Sequence, residues 1–372
     1  METNNNANNN ANKTVVVAMS GGVDSSVAAA LLKDEGYNLI GITMKTWGFD
    51  DIPEKDSGCC SLETIYSAKN VAYNLGFEHY TLDFTEKFND TVIENFISEY
   101  IKGHTPNPCV LCNKTIKWGA LLEKAESLGA DYIATGHYAK IVHNEATGRY
   151  NIGVSEDKRK DQSYALWRVS QHALSKTIFP IGKYEKTRIR EIAASMNLKS
   201  ANTPDSQEIC FVPNDDYRQL IEIRMPDFIK KINHGDILYK DKKIGSHSGY
   251  INYTIGQRRG LNVALGKPIY VTKIDAENNV IVVDDIEGLN NTAFMTNEIN
   301  MMTTEKLSEP TKALVKIRYK DKGSLATLYQ ENDKEIKIIF DEEQKAITPG
   351  QSAVFYDGEN VIGGGIIQNI LY

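Results

Sequence analysis

From Thr14 onward the apolar residues change period repeatedly, and that alternation restricts the fold more than any other feature of the chain. The run TVVVAM (14–19) is short, continuous and rich in β-branched residues, which predicts a buried strand. Ser25 to Glu35 follows with helical spacing and stops at Gly36. NLIGITMK (38–45) makes a second strand, and Leu62 to Leu75 a second helix ended by Gly76. The strand HYTLDF (79–84), helices over about 88–102 and 115–128, and the strand DYIAT (131–135) continue the series. Strand and helix taking turns in this way predict a parallel sheet covered by helices on both faces. A helix over about 186–196 closes this first region.

Beyond Cys210 the texture changes. One helical segment mixes with short strands and Gly-rich turns such as KKIGSHSGYINYTIGQRRGL (242–261). Later, ALVKIRY, EIKIIF and SAVFY alternate between polar and apolar residues and are separated by turns, as in a small antiparallel barrel or sandwich. The expected fold class is therefore α/β, in three parts: a Rossmann-like nucleotide-binding domain with a parallel sheet (14–210), a small central α+β domain (211–288) and a C-terminal antiparallel β domain (289–372). A disordered, Asn-rich tail, METNNNANNNAN and one further residue, is expected ahead of them over 1–13. It has neither the basic start nor the apolar block of a signal peptide, and no run of apolar residues is long enough for a membrane helix.

The formal net charge is −7, so the overall field does not attract nucleic acid, and any RNA contact must be local. Basic candidates are Lys183 to Arg190, the Arg258–Arg259 pair, and Lys312, Lys316, Arg318, Lys320 and Lys322. Five cysteines (Cys59, Cys60, Cys109, Cys112 and Cys210) without a secretion signal suit a reducing, cytoplasmic setting, where thiols react or bind metal rather than staple the fold.

The clearest chemical element is Ala18-Met19-Ser20-Gly21-Gly22-Val23-Asp24-Ser25, between the first strand and the first helix. Glycines let a backbone approach a ligand, and a helix start offers N–H groups and a positive dipole end to an anion. Ser20 and Ser25 add hydroxyl donors, and Asp24 is a candidate to help hold Mg²⁺. No Gly-Lys-Ser/Thr follows, so this is not a Walker loop. SGGVDS instead resembles the PP-loop of enzymes that split ATP between its α and β phosphates.

Two cysteine-bearing segments narrow the chemistry. Thr105 to Lys114 (TPNPCVLCNK) holds a C-x-x-C just before a helix, where thiol pKa values tend to fall. Asp205 to Phe211 (DSQEICF) holds Cys210. The SGGVDSSVAA loop, TPNPCVLCNKTIK, ATGHYAK (134–140), KDQSYAL (160–166), TPDSQEICF (203–211) and YTIGQRRGL (253–261) resemble, in order, the motifs of the bacterial tRNA-specific 2-thiouridylases. That resemblance runs from about Thr14 to the end of the chain. It implies a PP-loop catalytic domain, a small central domain and a C-terminal β-barrel, with tRNA held across all three.

Carried over position by position, the resemblance makes Cys112 the nucleophilic cysteine and Cys210 the cysteine that carries sulfur as a persulfide. Ala18, Met19, Ser20, Gly21, Gly22, Val23, Asp24, Ser25, Met44 and Gly136 fall where ATP is contacted. Asn107, Pro108 and Cys109 fall where the target base is met. His137, Lys160, Asp161, Gln162, Arg318, Tyr319 and Gln351 fall at tRNA-contacting or flanking positions. The implied reaction is adenylation of the C2 oxygen of wobble uridine 34 in tRNAs for Lys, Glu and Gln, with ATP and Mg²⁺. Sulfur transfer follows, and a Cys112–Cys210 disulfide is left behind. The implied sulfur source is a cysteine desulfurase or relay protein.

One position departs from the pattern. Many members carry Asp where this chain has Cys109, so no general-base role is carried over. The change produces a Cys109, Cys112 and Cys210 set resembling that of tRNA-thiolating enzymes with a [4Fe–4S] cluster. Three thiolates would leave one iron open for sulfide, and this stands as a second route. Another PP-loop ligase acting on a small molecule, and a nucleotide- or RNA-binding regulator without catalysis, are the remaining alternatives.

Overall fold

A computed structural model of the chain describes residues 10–47, 62–196, 198, 209–212 and 216–371. Cys59, Cys60, residues 1–9 of the Asn-rich tail and Asp205 to Glu208 lie outside the described residues. Two compact units emerge: one of residues 1–92, 109–214 and 359–362, the other of residues 93–108, 215–358 and 363–372.

The first unit is built on β1 (Thr14–Ala18), β2 (Asn38–Lys45), β3 (Glu78–Asp83), β4 (Tyr132–Thr135) and β7 (Thr177–Ile178), in the order β3-β2-β1-β4-β7. All four neighbouring pairs are parallel. Helices α1 (Val23–Asp34), α2 (Leu62–Leu75) and α8 (Lys186–Ser195) share one core with Val15 and Val17 of β1. Val16 points to the other face and is equally inaccessible to water, so β1 is covered on both sides. That explains its uninterrupted apolar run. Strands β5 (Ala139–Asn144) and β6 (Arg149–Val154) form a hairpin, and Asn360 and Val361 pair with β6. Residues 10–13 also make contacts: Asn38 donates to the Ala11 carbonyl at 2.7 Å, and Lys13 Nζ lies 3.2 Å from Tyr132 Oη.

Two helical regions start earlier than the periodicity predicts. The segment expected from about 88 begins with α3 (Thr85–Phe88) and passes through a π-helical stretch, Asn89–Ile93, into α4 (Glu94–Ile101). The segment expected from about 115 begins with α5 (Pro108–Cys112) and runs through a π-helical stretch, Asn113–Leu121, into α6 (Leu122–Ser127). Pro108 opens α5 because its fixed φ suits a first helical turn and its missing N–H is no loss there. Cys109 and Cys112 therefore lie within the helix rather than ahead of it.

In the second unit, α4 is anchored by aromatics. Tyr100 stacks on Tyr217 with ring centroids 4.2 Å apart, and Tyr250 Oη donates to the Ile101 carbonyl. Tyr217 opens α9 (Tyr217–Arg224), which precedes α10 (Pro226–Ile232) and a four-stranded sheet. That sheet contains β8 (Gly235–Tyr239), β9 (Lys242–His247), β10 (Tyr270–Asp275) and β11 (Val280–Asp284), in the order β10-β11-β8-β9. Strands β12 (Asn290–Met301), β13 (Thr311–Lys316), β14 (Ser324–Asn332), β15 (Glu335–Lys345), β16 (Ser352–Asp357) and β17 (Asn360–Leu371) make an antiparallel barrel, closed by pairing of β12 with β17. Closure removes the exposed edges an open sheet would leave. Among the described residues, no helix is long and apolar enough to cross a membrane.

The end of α4 carries a pH-sensitive anchor. Glu99 pairs with His104 Nδ1 and accepts from Lys102, both at 2.7 Å, and these bonds, the first above all, hold its carboxyl down at about 2. A depressed carboxyl stabilises the fold above its unfolded value and loses that contribution as pH falls toward the folded one. The urea midpoint of the wild type is therefore expected to approach that of Glu99→Gln as pH drops from about 4.5 toward about 2. A constant gap between the two proteins would count against the anchor.

Candidate active site

Strand order places the nucleotide loop. The chain runs outward from β1 to β2 and β3, then returns to put β4 on the other side of β1. Such a reversal opens a crevice at the carboxyl ends of the strands, the usual ligand position in open parallel sheets. Ala18 ends β1, residues 19–22 make the turn, and Val23, Asp24 and Ser25 begin α1. Met44 lies near the end of the adjacent β2, and Gly136 follows β4. The structure thus gathers the candidate ATP-contacting residues at one end of three neighbouring strands.

The turn is tight and internally bonded. Gly21 has φ +76°, and a Cβ there would lie 2.2 Å from the Thr64 carbonyl oxygen on α2. Ser67 Oγ donates to the Gly21 carbonyl at 3.1 Å, fixing the turn to the same helix. Ser25 Oγ accepts from the Ser20 amide at 3.2 Å and also donates to the Gly22 carbonyl at 3.2 Å. Among the described residues, no side chain caps the start of α1. That helix start, with its positive dipole end, is suited to an anion. Gly136 meets the same place from β4, since a Cβ on it would lie 2.7 Å from the Ser25 amide nitrogen.

Asp24 has an arrangement that the sequence pattern did not foresee. Lys186 Nζ lies 2.8 Å from each carboxylate oxygen, and Tyr138 Oη donates to Oδ1 at 2.7 Å. An ammonium in that position repels a metal ion, so Asp24 as it stands does not fit direct Mg²⁺ ligation. Lys186 also drops out of the expected basic surface over 183–190, because it is buried and paired.

The cysteines occupy three different settings. Cys109 is exposed, Cys112 and Cys210 are half-buried, and among the described residues none of the three forms a disulfide. Cys109 and Cys112 are one helical turn apart and so share a face of α5. Next to Cys112, Asn113 is buried; its Nδ2 donates to the Ala165 carbonyl at 2.9 Å, while its Oδ1 has no hydrogen-bond partner among the described residues. Cys210 is followed by Phe211, packed edge-on against Phe88 at 5.5 Å. The Cys109 thiol is pushed up by the surrounding protein, and Lys117 works against that shift. The expected lowering at a helix start therefore does not hold for Cys109: although the residue reaches the surface, desolvation around its thiol raises the pKa, and the Lys117 cation offsets only part of that shift.

Among the described residues, no group of three or more His, Cys, Asp or Glu side chains is placed to hold a metal ion. All three candidate cluster ligands are described, and Cys210 does not join Cys109 and Cys112 in a ligand set.

Other predicted contacts fall into two groups. His137 is half-buried, with Nδ1 2.6 Å from Thr135 Oγ1 and Nε2 3.2 Å from Lys117 Nζ. Burial first, and Lys117 second, hold its pKa well below the ordinary value, so it is a neutral imidazole whose Nε2 accepts from the ammonium. Gln162 Oε1 accepts from the Tyr138 amide at 2.9 Å, and Asp161 accepts from the Ser155 amide and the Ser163 hydroxyl. Both therefore hold local turns, and Lys160 beside them is half-buried. Asn107, Pro108, Arg318, Tyr319 and Gln351 belong to the second unit. There, Gln351 Nε2 donates to the Thr105 carbonyl at 2.8 Å and holds the Thr105–Pro106 segment, while Arg318 and Tyr319 are exposed. Lys312 is paired with Asp341, and Lys316 lies 4.7 Å above the Tyr356 ring, which tempers that basic run.

Known families cover most of the chain. The tRNA methyl transferase HUP domain family matches residues 13–214, the tRNA methyl transferase PRC-barrel domain 226–285, and the aminomethyltransferase beta-barrel domain 291–367. The tRNA-specific 2-thiouridylase MnmA of Clostridioides difficile is 48% identical over 361 residues, 97% of this chain and 99% of that protein. Its counterparts in Clostridium acetobutylicum and Cytophaga hutchinsonii are 49% and 47% identical, over 96% and 95% of this chain and 100% and 97% of theirs. The chain belongs to the tRNA-specific 2-thiouridylase family. Among solved structures, an NMN synthetase from Francisella tularensis reaches a TM-score of 0.34 at 14% identity, over 60% of this chain and 80% of that one, too low a likeness to argue from.

Two outcomes are expected of this 2-thiouridylase site. Gly21→Ala should destabilise the fold by about 1–3 kcal/mol from backbone strain alone, and weaken nucleotide binding, read by calorimetry; unchanged binding would free the turn from this constraint. Near neutral pH, Cys109 should alkylate with iodoacetamide more slowly than an unfolded cysteine, and Lys117→Met should slow it further, followed by mass spectrometry of the labelled peptide. Faster labelling in the variant would contradict the electrostatic account.

Proposed function

We infer that this chain is an ATP-dependent tRNA 2-thiouridylase acting on wobble uridine 34 of tRNAs for Lys, Glu and Gln. The observation that carries the reading is the pairing, in one unit, of a PP-loop at a strand-order reversal with a helix that displays Cys112. A ligase that activates small molecules needs the first of these and has no use for the second.

A uridine C2 oxygen is a poor leaving group, and adenylation makes it a good one. That oxygen attacks the α phosphorus of ATP, and the bond to the β phosphate breaks. The start of α1 and the N–H groups of the turn receive the phosphate charge as pyrophosphate departs. Mg²⁺ enters on the nucleotide as part of the substrate, since Asp24 is already paired.

Sulfur arrives as a persulfide on Cys210. The Cys112 thiolate attacks the inner sulfur, the S–S bond breaks, and sulfide is released as a Cys112–Cys210 disulfide forms. Sulfide adds to C2, and AMP leaves with the original oxygen. The disulfide takes two electrons from an external thiol reductant to reset. Cys109 takes no part in this sequence, and its raised pKa suits a residue that meets the base rather than attacks sulfur.

The test is thiolation of unmodified tRNA-Lys with ATP, Mg²⁺ and a cysteine desulfurase with its substrate, read as 2-thiouridine by nucleoside mass spectrometry. Cys112→Ser and Cys210→Ser should fall to background while still releasing pyrophosphate, and Cys109→Ala should keep most of its activity. Thiolation that survives in either serine variant would overturn the route. Pyrophosphate release without thiouridine in the wild type would overturn the assignment of the acceptor.

A further inference from the structure

A Walker loop carries its own lysine to balance phosphate charge, whereas SGGVDS carries an aspartate. A carboxylate in the first turn of α1 lies where the helix would otherwise receive an anion, and left alone it would repel a triphosphate. The structure supplies the missing charge from far along the chain. Lys186, 162 residues from Asp24, lies 2.8 Å from both carboxylate oxygens.

The lysine is built in rather than swung in from solvent. Its side chain is 8% exposed, against 29% for Asp24, so the cation is the inner partner. Its backbone amide donates to Asp157 Oδ2 at 3.2 Å, and Asp157 is itself buried, with Arg159 on its other oxygen. The ammonium also lies 5.7 Å from the centre of the Tyr138 ring, whose hydroxyl completes the bonding of Asp24 Oδ1. Tyr138 follows Gly136, the residue that touches Ser25 from β4. Asp157, Lys186 and Tyr138 therefore converge on one carboxylate from three segments.

We propose that Lys186 is a positioning residue for nucleotide binding: it neutralises and orients Asp24, so that the turn can accept the phosphates of ATP. It acts through Asp24 and does not touch the phosphates itself. The proposal rests on the reading of this turn as the ATP site.

The role predicts a dependence on phosphate charge that a purely structural lysine would not show. ATP and adenosine affinities are measured by calorimetry on the full chain, for the wild type, Lys186→Met, Lys186→Arg and the double variant Asp24→Asn/Lys186→Met. Lys186→Met should weaken ATP at least about tenfold while leaving adenosine unchanged, a selectivity worth about 1.4 kcal/mol. Lys186→Arg should retain most of the ATP affinity. The double variant, with neither charge, should recover most of it and also provides a folded control, because no buried charge is left unpaired.

An unchanged ratio of ATP to adenosine affinity in Lys186→Met would overturn the proposal. So would a double variant as weak toward ATP as the single one, which would mean that Lys186 binds phosphate directly. Failure of the wild type to bind ATP at all would instead strike at the ATP site, and is read separately from the variants.

Discussion

Two strand ends come together within atomic contact where β1 gives way to α1 and β4 gives way to the next turn. Gly21 turns with a positive φ against the Thr64 carbonyl, and Gly136 lies against the Asp24–Ser25 peptide. Neither position has room for a Cβ. The chemistry depends on this close approach, because it brings the backbone of one strand end, the hydroxyls of Ser20 and Ser25 and the start of α1 to a single point. The sheet order supplies the crevice, and the glycines let the backbone line it.

Near the nucleotide turn two charges are held in pairs largely withdrawn from water, while other ion pairs of the unit, such as Lys140–Glu156 and Lys183–Glu35, lie on its surface. Lys186 neutralises Asp24, and Lys117 rests on the Nε2 of a neutral His137 held by Thr135. Desolvation sets the direction at His137 and at the Cys109 thiol, depressing the first and raising the second, with Lys117 reinforcing the one and opposing the other. A net charge of −7 gives no hint of these pairs. Each draws its partners from different helices and strands.

Much of the fold was legible in the residue pattern, because burial and periodicity act locally. Strand β2 and helix α2 fall where the pattern put them, and the parallel order follows from the alternation. The start of α5 was missed because the Pro-Asn-Pro frame reads as an irregular loop, although Pro108 also suits a first helical position. Lys186 was read as part of a basic surface, since a lysine in a charged stretch is usually solvated. Gln162 and Gln351 show the opposite limit: a motif can mark a position without revealing that its amide holds a neighbouring turn.

By itself, the sequence determined the alternating α/β region, the glycine-built nucleotide turn, the later β-rich region and the set of reactive cysteine candidates. These depend on residue type and spacing over a few turns of chain. The tertiary structure alone decided that Asp24 pairs with an ammonium and that Cys109 is a raised rather than a lowered thiol. Those outcomes depend on which groups meet across long stretches of chain and on how much water is excluded when they do. Neither quantity is written in local order, because electrostatic energy depends on distance and dielectric in space rather than on separation along the chain.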